Sequence, residues 1–134
     1  RVQIGMMMFD VKHDFMEHRL VFTPVGSRVT CDPAPTDTDE DYLVCGNDSV
    51  GEYLKSIGFK AEGHPKFYTG NNNGNFQSYR RDEINIIVTP DADFYDLFKS
   101  ATELAKRFNL LEKSDRIALF QAVLYGVQSH NLQT

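Results

Sequence analysis

Two acidic residues, Asp39 and Asp41, are spaced so that their carboxylates could share a metal ion. They flank Glu40 and lead directly into the apolar segment Tyr42-Leu43-Val44. Alternate residues of a β-strand project to the same face of a sheet, so Asp39 and Asp41 can point together while Glu40 turns away. Two carboxylates held this close repel each other, and a divalent cation such as Mg²⁺ would offset that repulsion. The pattern therefore predicts a cation site whose remaining positions are open to water or phosphate oxygens.

A third carboxylate, Glu83, stands at the head of a later apolar segment, Ile84–Val88. If this segment forms a strand beside the strand of Asp41, three carboxylates can face one cleft. Such a cleft could hold two metal ions about 3.5–4 Å apart, an arrangement suited to in-line displacement at phosphorus. Asp82 is the alternative donor, because it immediately precedes Glu83 in the chain.

The acidic cluster has two other interpretations. A shifted register would pair Asp37 with Asp39, and residues 37–41 could also form a solvated acidic loop that binds no ligand. Asp39 and Asp41 are the preferred pair because the apolar strand follows Asp41 directly.

Gly26 and Ser27 follow the apolar segment of residues 20–25 and could contact a phosphate group. Glycine lets backbone N–H groups approach a phosphate closely, and the serine hydroxyl adds one more donor. Taken alone, Gly-Ser after a strand is common turn chemistry. Arg28, Arg80, Arg81 and Lys66 are cationic candidates for binding a triphosphate, although each taken singly is typical of an exposed surface.

The order and spacing of these residues are more specific than any one of them. Over about residues 20–90, Val25-Gly26-Ser27, then Thr38 to Val44, then Arg81 to Ile86 resemble the motifs of the DNA polymerase beta-type nucleotidyltransferase superfamily. Those motifs are an apolar residue with Gly-Ser, a strand-borne Asp-x-Asp, and a lone acid on a later strand. The segment from Glu83 to Gly126 also looks like small nucleotidyltransferases encoded by phages and prophages.

The resemblance implies a metal-dependent enzyme that transfers a nucleoside monophosphate from an NTP such as ATP to an acceptor hydroxyl and releases pyrophosphate. The acceptor would be an RNA 3′ end, a protein or a small molecule. The cofactor would be Mg²⁺ in a two-metal site, with Mn²⁺ as a substitute. The implied catalytic residues and metal ligands are Asp39, Asp41 and Glu83, and the implied nucleotide-binding residues are Gly26, Ser27, Arg28 and Arg81.

Two departures from the family pattern leave a second function open. The middle residue of Asp-x-Asp is usually apolar, and here it is Glu40; the third acid is usually Asp, and here it is Glu83. The alternative is therefore a catalytically inactive nucleotide-binding or partner-regulating module of phage origin.

The elements that must position these residues follow from periodicity and turn signals. Helices recur with apolar residues at i, i+3, i+4 and i+7, and strands occur as short apolar runs. The prediction is a mixed β-sheet backed by helices, similar to a minimal polymerase beta-like palm. The predicted order is helix 6–18, strand 20–25, loop 28–38, strand 41–45, a helix from the Ser49–Glu52 capping box to Gly58, strands 75–81 and 83–88, and a C-terminal helical pair within about 91–128.

Four local details belong to this prediction. Gly58 is expected to be the left-handed residue that ends its helix, and the composition of Asn71–Asn75 predicts a turn or loop. The first helix of the C-terminal pair is expected to carry one continuous apolar stripe, formed by Phe94, Leu97, Phe98, Ala101, Leu104, Ala105 and Phe108. Ser114 is expected to cap the second helix of the pair.

Length and composition exclude several classes of protein. The 134 residues fit one domain, and ten Phe and six Tyr support a hydrophobic core. A net charge of −5 argues against general DNA binding, which depends on neutralising phosphates with Lys and Arg. No apolar run is long enough to span a membrane. Cys31 and Cys45 match neither a disulfide framework nor zinc spacing, so a reducing cytoplasm (that of the host, if phage-encoded) is expected.

Overall fold

The computed structural model describes the backbone of residues 2–4, 7–63 and 76–133, and the side chains of residues 10–62 and 76–126. Within these ranges the chain forms seven strands and five helices. Their order is β1 (Val2–Ile4), β2 (Met7–Phe9), α1 (Val11–Glu17), β3 (Val21–Val25), α2 (Ser27–Thr30), β4 (Glu40–Cys45), α3 (Asp48–Ser56), β5 (Lys60–Gly63), β6 (Gln77–Arg81), β7 (Ile84–Thr89), α4 (Ala92–Arg107) and α5 (Lys113–Gln133).

The main sheet has five strands in the order β3-β4-β7-β6-β5, and β1 pairs with β2 in a separate two-stranded sheet. In the main sheet β4 and β7 are parallel, while the β3-β4, β6-β7 and β5-β6 pairs are antiparallel. The mixed α/β class predicted from the sequence is confirmed by this arrangement.

The two faces of the main sheet bury separate hydrophobic clusters, because alternate strand residues point to opposite sides. Leu43 and Ile87 pack on one side with residues of α4 and α5. Tyr42, Val44 and Ile86 pack on the other side with residues of α1 and α3. The helix that closes one face of the candidate site, α5, is therefore held by the first of these cores.

Side-chain caps fix where three helices begin, as the composition of the preceding loops suggests. The Asp10 carboxylate accepts a hydrogen bond from the His13 backbone N–H, and Asn47 Oδ1 accepts one from that of Ser49. Asp91 Oδ1 accepts from two backbone N–H groups at the start of α4.

The predicted helix over residues 6–18 is wrong at its beginning. Residues Met7–Phe9 form β2, which pairs with β1, and the helix starts after its cap at Asp10. The helical spacing extended from α1 into this segment, but the pairing with Val2–Ile4 takes precedence over local periodicity.

Three other boundaries differ from the sequence-based prediction. The cap of α3 is Asn47 and not Ser49. Residues 27–30 form the short helix α2, which replaces the first part of the predicted loop 28–38. The strand β5 was not predicted. The left-handed Gly58 that ends α3 was predicted, and its φ of 100° confirms it. The predicted turn or loop at Asn71–Asn75 lies outside the described residues.

The C-terminal helical pair is confirmed, with corrections to its faces. Helix α4 buries Phe94, Phe98 and Ala101, but Leu97 is 38% exposed and Phe108 63% exposed, so the apolar stripe is narrower than predicted. Helix α5 begins at Lys113, so that Ser114 lies inside it and does not cap it.

Candidate active site

The strand register places a polar row across one end of the sheet. Val25 on β3 pairs with Asp41 on β4, Asp41 pairs with Asn85 on β7, and Asn85 pairs with Arg80 on β6. Directly paired residues on neighbouring strands project to the same face. Asp41, Asn85 and Arg80 therefore form a continuous polar line on the face that also carries Leu43 and Ile87.

A cavity of about 440 Å³ lies above this row, between the sheet and helix α5. Its lining brings together residues that are far apart in the chain. Acidic and turn residues from the β3–β4 region form one side, and Lys113, Arg116, Ile117 and Phe120 of α5 form the other. This volume is in the range of small-molecule binding sites.

Gly26 is pressed against the carboxylate of Asp41. A Cβ atom at this position would lie 2.1 Å from Asp41 Oδ2, and Gly26 has a φ of 83°, a backbone conformation that favours glycine. The predicted turn residues Gly26 and Ser27 both line the cavity together with Asp41. The structure thus brings together two of the motifs identified in the sequence.

The Asp41 carboxyl group is largely buried, and this burial raises its pKa from 3.8 to about 6. The neighbouring charge of Asp39 contributes to this increase, whereas a hydrogen bond with the Asn85 side chain and the positive charges of Arg80 and Arg28 oppose it. The repulsion between the two carboxylates that the sequence predicts is therefore present, although burial is the larger cause of the raised pKa.

The second predicted carboxylate, Asp39, also lines the cavity and forms an ion pair with Arg80. Arg80 Nη2 lies 2.8 Å from Asp39 Oδ2, and Arg80 Nε lies 2.8 Å from Glu62 Oε1. These two hydrogen bonds raise the pKa of the guanidinium above its usual range. Arg80 therefore bridges two carboxylates at the rim of the cavity.

Three of the residues that line this cavity each carry a buried side-chain atom without a hydrogen-bond partner in the described part of the chain. These atoms are Thr38 Oγ1, Ser78 Oγ and Asn85 Oδ1. Leaving a buried polar atom unpaired costs roughly 1–3 kcal/mol, so such atoms require an explanation. Their grouping around one cavity is the pattern expected of a site that binds a polar ligand.

Glu83, the third predicted carboxylate, does not line this cavity. It is exposed in the turn between β6 and β7, and its backbone carbonyl accepts a hydrogen bond of 2.8 Å from the Glu40 N–H. Asn85 occupies the position opposite Asp41. Across the side chains that the structure describes, no three His, Cys, Asp or Glu residues are grouped to hold a metal ion. The expected convergence of three carboxylates is not observed there.

Of the three arginines considered for nucleotide binding, Arg80 lines this cavity, whereas Arg28 and Arg81 do not. Lys66 lies outside the described residues. Arg28 lines a second hollow of about 380 Å³ beside Glu40 and Tyr42, and its Nη2 donates a hydrogen bond to the Thr38 carbonyl. Arg81 Nη1 donates to the Ile57 carbonyl at 2.9 Å. Arg28 thus holds the loop that precedes Asp39.

Asn85, Lys113 and Arg116 line the cavity but were not predicted from the sequence. The sequence does mark Asn85 as unusual, because it is the one polar residue in the apolar segment Ile84–Val88. Lys113 and Arg116 are three apart, which places them on one face of a helix, but nothing local connects that face to residue 41. Arg116 Nη1 donates to the carbonyls of Leu110 (2.9 Å) and Leu111 (2.8 Å), which holds its guanidinium in place.

Comparison with protein-family models, with curated proteins and with solved structures finds no match to this chain. None of the helices in the described ranges is long and apolar enough to cross a membrane. Both cysteines are free thiols.

An Asn85→Asp substitution tests whether this end of the sheet can take a further negative charge. It would replace the amide that hydrogen-bonds to Asp41 with a carboxyl next to two others, so we expect a loss of about 1–3 kcal/mol in unfolding free energy in EDTA at pH 7.5. Added Mn²⁺ or Mg²⁺ should recover most of this loss and stabilise the variant more than the wild type. Unfolding in denaturant with and without the cation measures both effects. A variant that is insensitive to the cation would contradict a cation site here.

Proposed function

We propose that this chain is a metal-dependent nucleotidyltransferase that moves a nucleoside monophosphate from an NTP to an acceptor hydroxyl, with release of pyrophosphate. The observation that carries the proposal is the meeting of Asp39, Asp41 and the Gly26-Ser27 turn in one cavity with Lys113 and Arg116 opposite. Paired carboxylates facing cationic side chains suit a ligand that combines a hard cation with phosphate groups.

The donor atoms present fit Mg²⁺. Asp39 and Asp41 supply carboxylate oxygens, and Asn85 Oδ1 is a buried oxygen with no partner in the described residues. Mg²⁺ takes oxygen ligands and is commonly held by one or two carboxylates plus substrate phosphates. When bound, it would neutralise phosphate charge and lower the pKa of an acceptor hydroxyl. The proposal therefore rests on Asp39 and Asp41, with Asn85 as a neutral neighbour.

The chain's own residues would act by binding and orienting the triphosphate. The Gly26-Ser27 turn lies against Asp41, so phosphate oxygens bound there would be close to the carboxylates. Lys113 and Arg116 would neutralise phosphate charge from the side of α5. Positioning and electrostatic stabilisation account for most of the catalysis in phosphoryl transfer reactions.

Two further features support a polymerase beta-like palm as the finer fold. The two acids stand at the start of a central strand, β4, and the Gly-Ser turn follows the antiparallel strand β3, whose last residue pairs with Asp41. This is the order of motifs that the superfamily resemblance implies.

A second candidate function is nucleotide binding without transfer. Two observations favour it: an amide, Asn85, stands where a third carboxylate would pair with Asp41, and Arg80 already neutralises Asp39. A module of this kind would bind a nucleotide and regulate a partner.

One experiment separates the two functions. The protein is incubated with each of the four α-labelled NTPs, with and without Mg²⁺, alone and with host lysate. NTP binding, pyrophosphate release and labelled products are measured. The proposal expects Mg²⁺-dependent release that Asp39→Asn removes and that Asp37→Asn leaves unchanged. Asp37 offers a matched control, because it is exposed and lies outside both cavities. NTP binding without release supports the second function, and absence of NTP binding contradicts both.

A further inference from the structure

We infer that the cavity contains a nucleobase subsite between Ser78 on the sheet and Ile117 and Phe120 on α5, and that the Ser78 hydroxyl selects among the bases. This inference rests on the proposed nucleotidyl transfer and names the part of the NTP that the enzyme distinguishes.

Ser78 is the polar feature that defines the subsite. It lies on β6, is 2% exposed and is one of the residues that line the cavity, and its buried Oγ atom has no hydrogen-bond partner within the described residues. A hydroxyl both donates and accepts, so it can pair with an amino group or a ring nitrogen. A base that forms a hydrogen bond with the Ser78 hydroxyl would remove the free-energy cost of leaving that hydroxyl unpaired. A base that cannot form this bond would leave the cost in place and bind more weakly.

The cavity lining also supplies apolar surface, beside the ion pair of Arg80 with Glu62. Ile87 is the direct partner of Ser78 on β7 and is buried, and Ile117 and Phe120 line the cavity from α5. The Phe120 ring packs edge-on against Phe98 with centroids 4.9 Å apart, which fixes its orientation. A flat heterocycle needs apolar surfaces for its faces and one or two polar atoms at its edge, and this part of the cavity offers both.

The α5 side of the cavity is charged at one end and apolar at the other, which matches the phosphate and base ends of a nucleotide. Residues 113, 116, 117 and 120 share one face of α5, with the two cations in its first turn and the apolar pair after them. Arg116 Nη1 lies 3.3 Å from Cys31 Sγ, just beyond α2, so the charged end of this face adjoins the Gly26-Ser27 side. A bound NTP would therefore run from phosphate at the turn to base at Ser78.

The separation of the two ends agrees with this orientation. Asp41 and Ser78 are on strands separated by β7 alone, so two strand spacings, about 10 Å, lie between them across the sheet. That distance is comparable to the reach from the α-phosphate to the outer edge of the base in an extended nucleotide.

The test measures binding of α,β-methylene analogues of ATP, GTP, CTP and UTP, which cannot undergo transfer, and of inorganic tripolyphosphate, all with Mg²⁺, by calorimetry. The wild type should prefer one analogue and bind it at least about tenfold more tightly than tripolyphosphate. Ser78→Ala should weaken the preferred analogue by about tenfold, the usual effect of one lost hydrogen bond, and reduce the preference, while tripolyphosphate binding stays unchanged. Ser56→Ala, an exposed serine on α3, is the matched control and should change nothing.

Because Ser78 is buried, Ser78→Ala could disturb folding, so a second variant tests the subsite from the opposite wall. Ile117→Ala removes a half-buried side chain from the opposite wall and should weaken all four analogues without affecting tripolyphosphate. Analogues that bind no tighter than tripolyphosphate, or that are unaffected by both variants, would overturn the base subsite and leave the phosphate site standing. If neither the analogues nor tripolyphosphate bind, the proposed function itself fails.

Discussion

Replacing Asp41 with asparagine is expected to abolish the proposed nucleotidyl transfer while making the metal-free protein more stable at neutral pH. Asparagine keeps the size of the side chain and an oxygen that can accept the hydrogen bond from Asn85, but it removes the charge that binds a cation. Loss of a direct metal ligand should lower the rate by several orders of magnitude, since a bound metal contributes several kcal/mol of transition-state stabilisation.

The gain in stability follows from the raised pKa of Asp41. Burial raises this pKa to about 6, so between about pH 4 and pH 6 the folded protein keeps a proton that the unfolded chain has lost. The folded state is therefore favoured at low pH, and its stability falls as the pH rises through this window. At pH 7 the ionised carboxylate costs on the order of 2–3 kcal/mol, which the asparagine variant does not incur.

Denaturant unfolding in EDTA at pH 4, 5.5 and 7.5, together with transfer assays in Mg²⁺, measures both effects. The stability advantage of Asp41→Asn should be present at pH 7.5 and nearly absent at pH 4. Asp37→Asn makes the same chemical change on an exposed residue and should alter neither quantity appreciably. Near-normal transfer by Asp41→Asn, or a variant that unfolds at pH 7.5, would exclude Asp41 as the proposed metal ligand.

Replacing Gly26 with alanine is expected to reduce transfer by at least about a hundredfold and to destabilise the fold by about 1–3 kcal/mol. The added methyl group would overlap Asp41 Oδ2 at 2.1 Å, and the φ of 83° is strained for alanine. Either the carboxylate or the turn must then move, and both belong to the proposed metal and phosphate site. Metal-dependent transfer and unfolding free energy are the two quantities to measure.

Gly126→Ala is a control for which we expect the unfolding free energy to rise, where Gly26→Ala lowers it. A methyl group there meets no atom within 4 Å outside its own helix, and alanine is preferred to glycine in a helix. Gly126→Ala should therefore raise stability by up to about 1 kcal/mol and leave transfer unchanged. If Gly26→Ala behaved like Gly126→Ala, the contact between the turn and Asp41 would have no functional importance.

Much of the site was predictable because its motifs are local. The two-residue alternation in residues 39–41 placed both acids on one side of a strand, and the Gly-Ser pair after an apolar run indicated a tight turn. Both motifs line the cavity in the structure. Their meeting depends on the pairing of adjacent strands β3 and β4, which are also close in sequence.

The residue that faces Asp41 from β7 was not predictable in the same way, because its identity depends on the register between β4 and β7. These strands are parallel and some forty residues apart, and the turn before β7 contains Asp82 in a left-handed conformation, with a φ of 53°. One residue of register decides which side chain faces Asp41. The apolar run starting after Glu83 indicated a strand but did not show that Asn85 would be the partner. The contribution of α5 depends on long-range packing that no local pattern encodes.

Proline in strand β3 has a consequence for how this protein behaves at high concentration. β3 is an outer strand of the five-stranded sheet, and Pro24 lies within it, paired with Tyr42. Outer strands expose backbone groups that can recruit the strand of another molecule and start aggregation, and proline interrupts this because it has no N–H to donate. The margin next to the Gly26 turn is thereby protected against edge-to-edge association, so the turn can remain open to solvent without becoming a point of self-assembly.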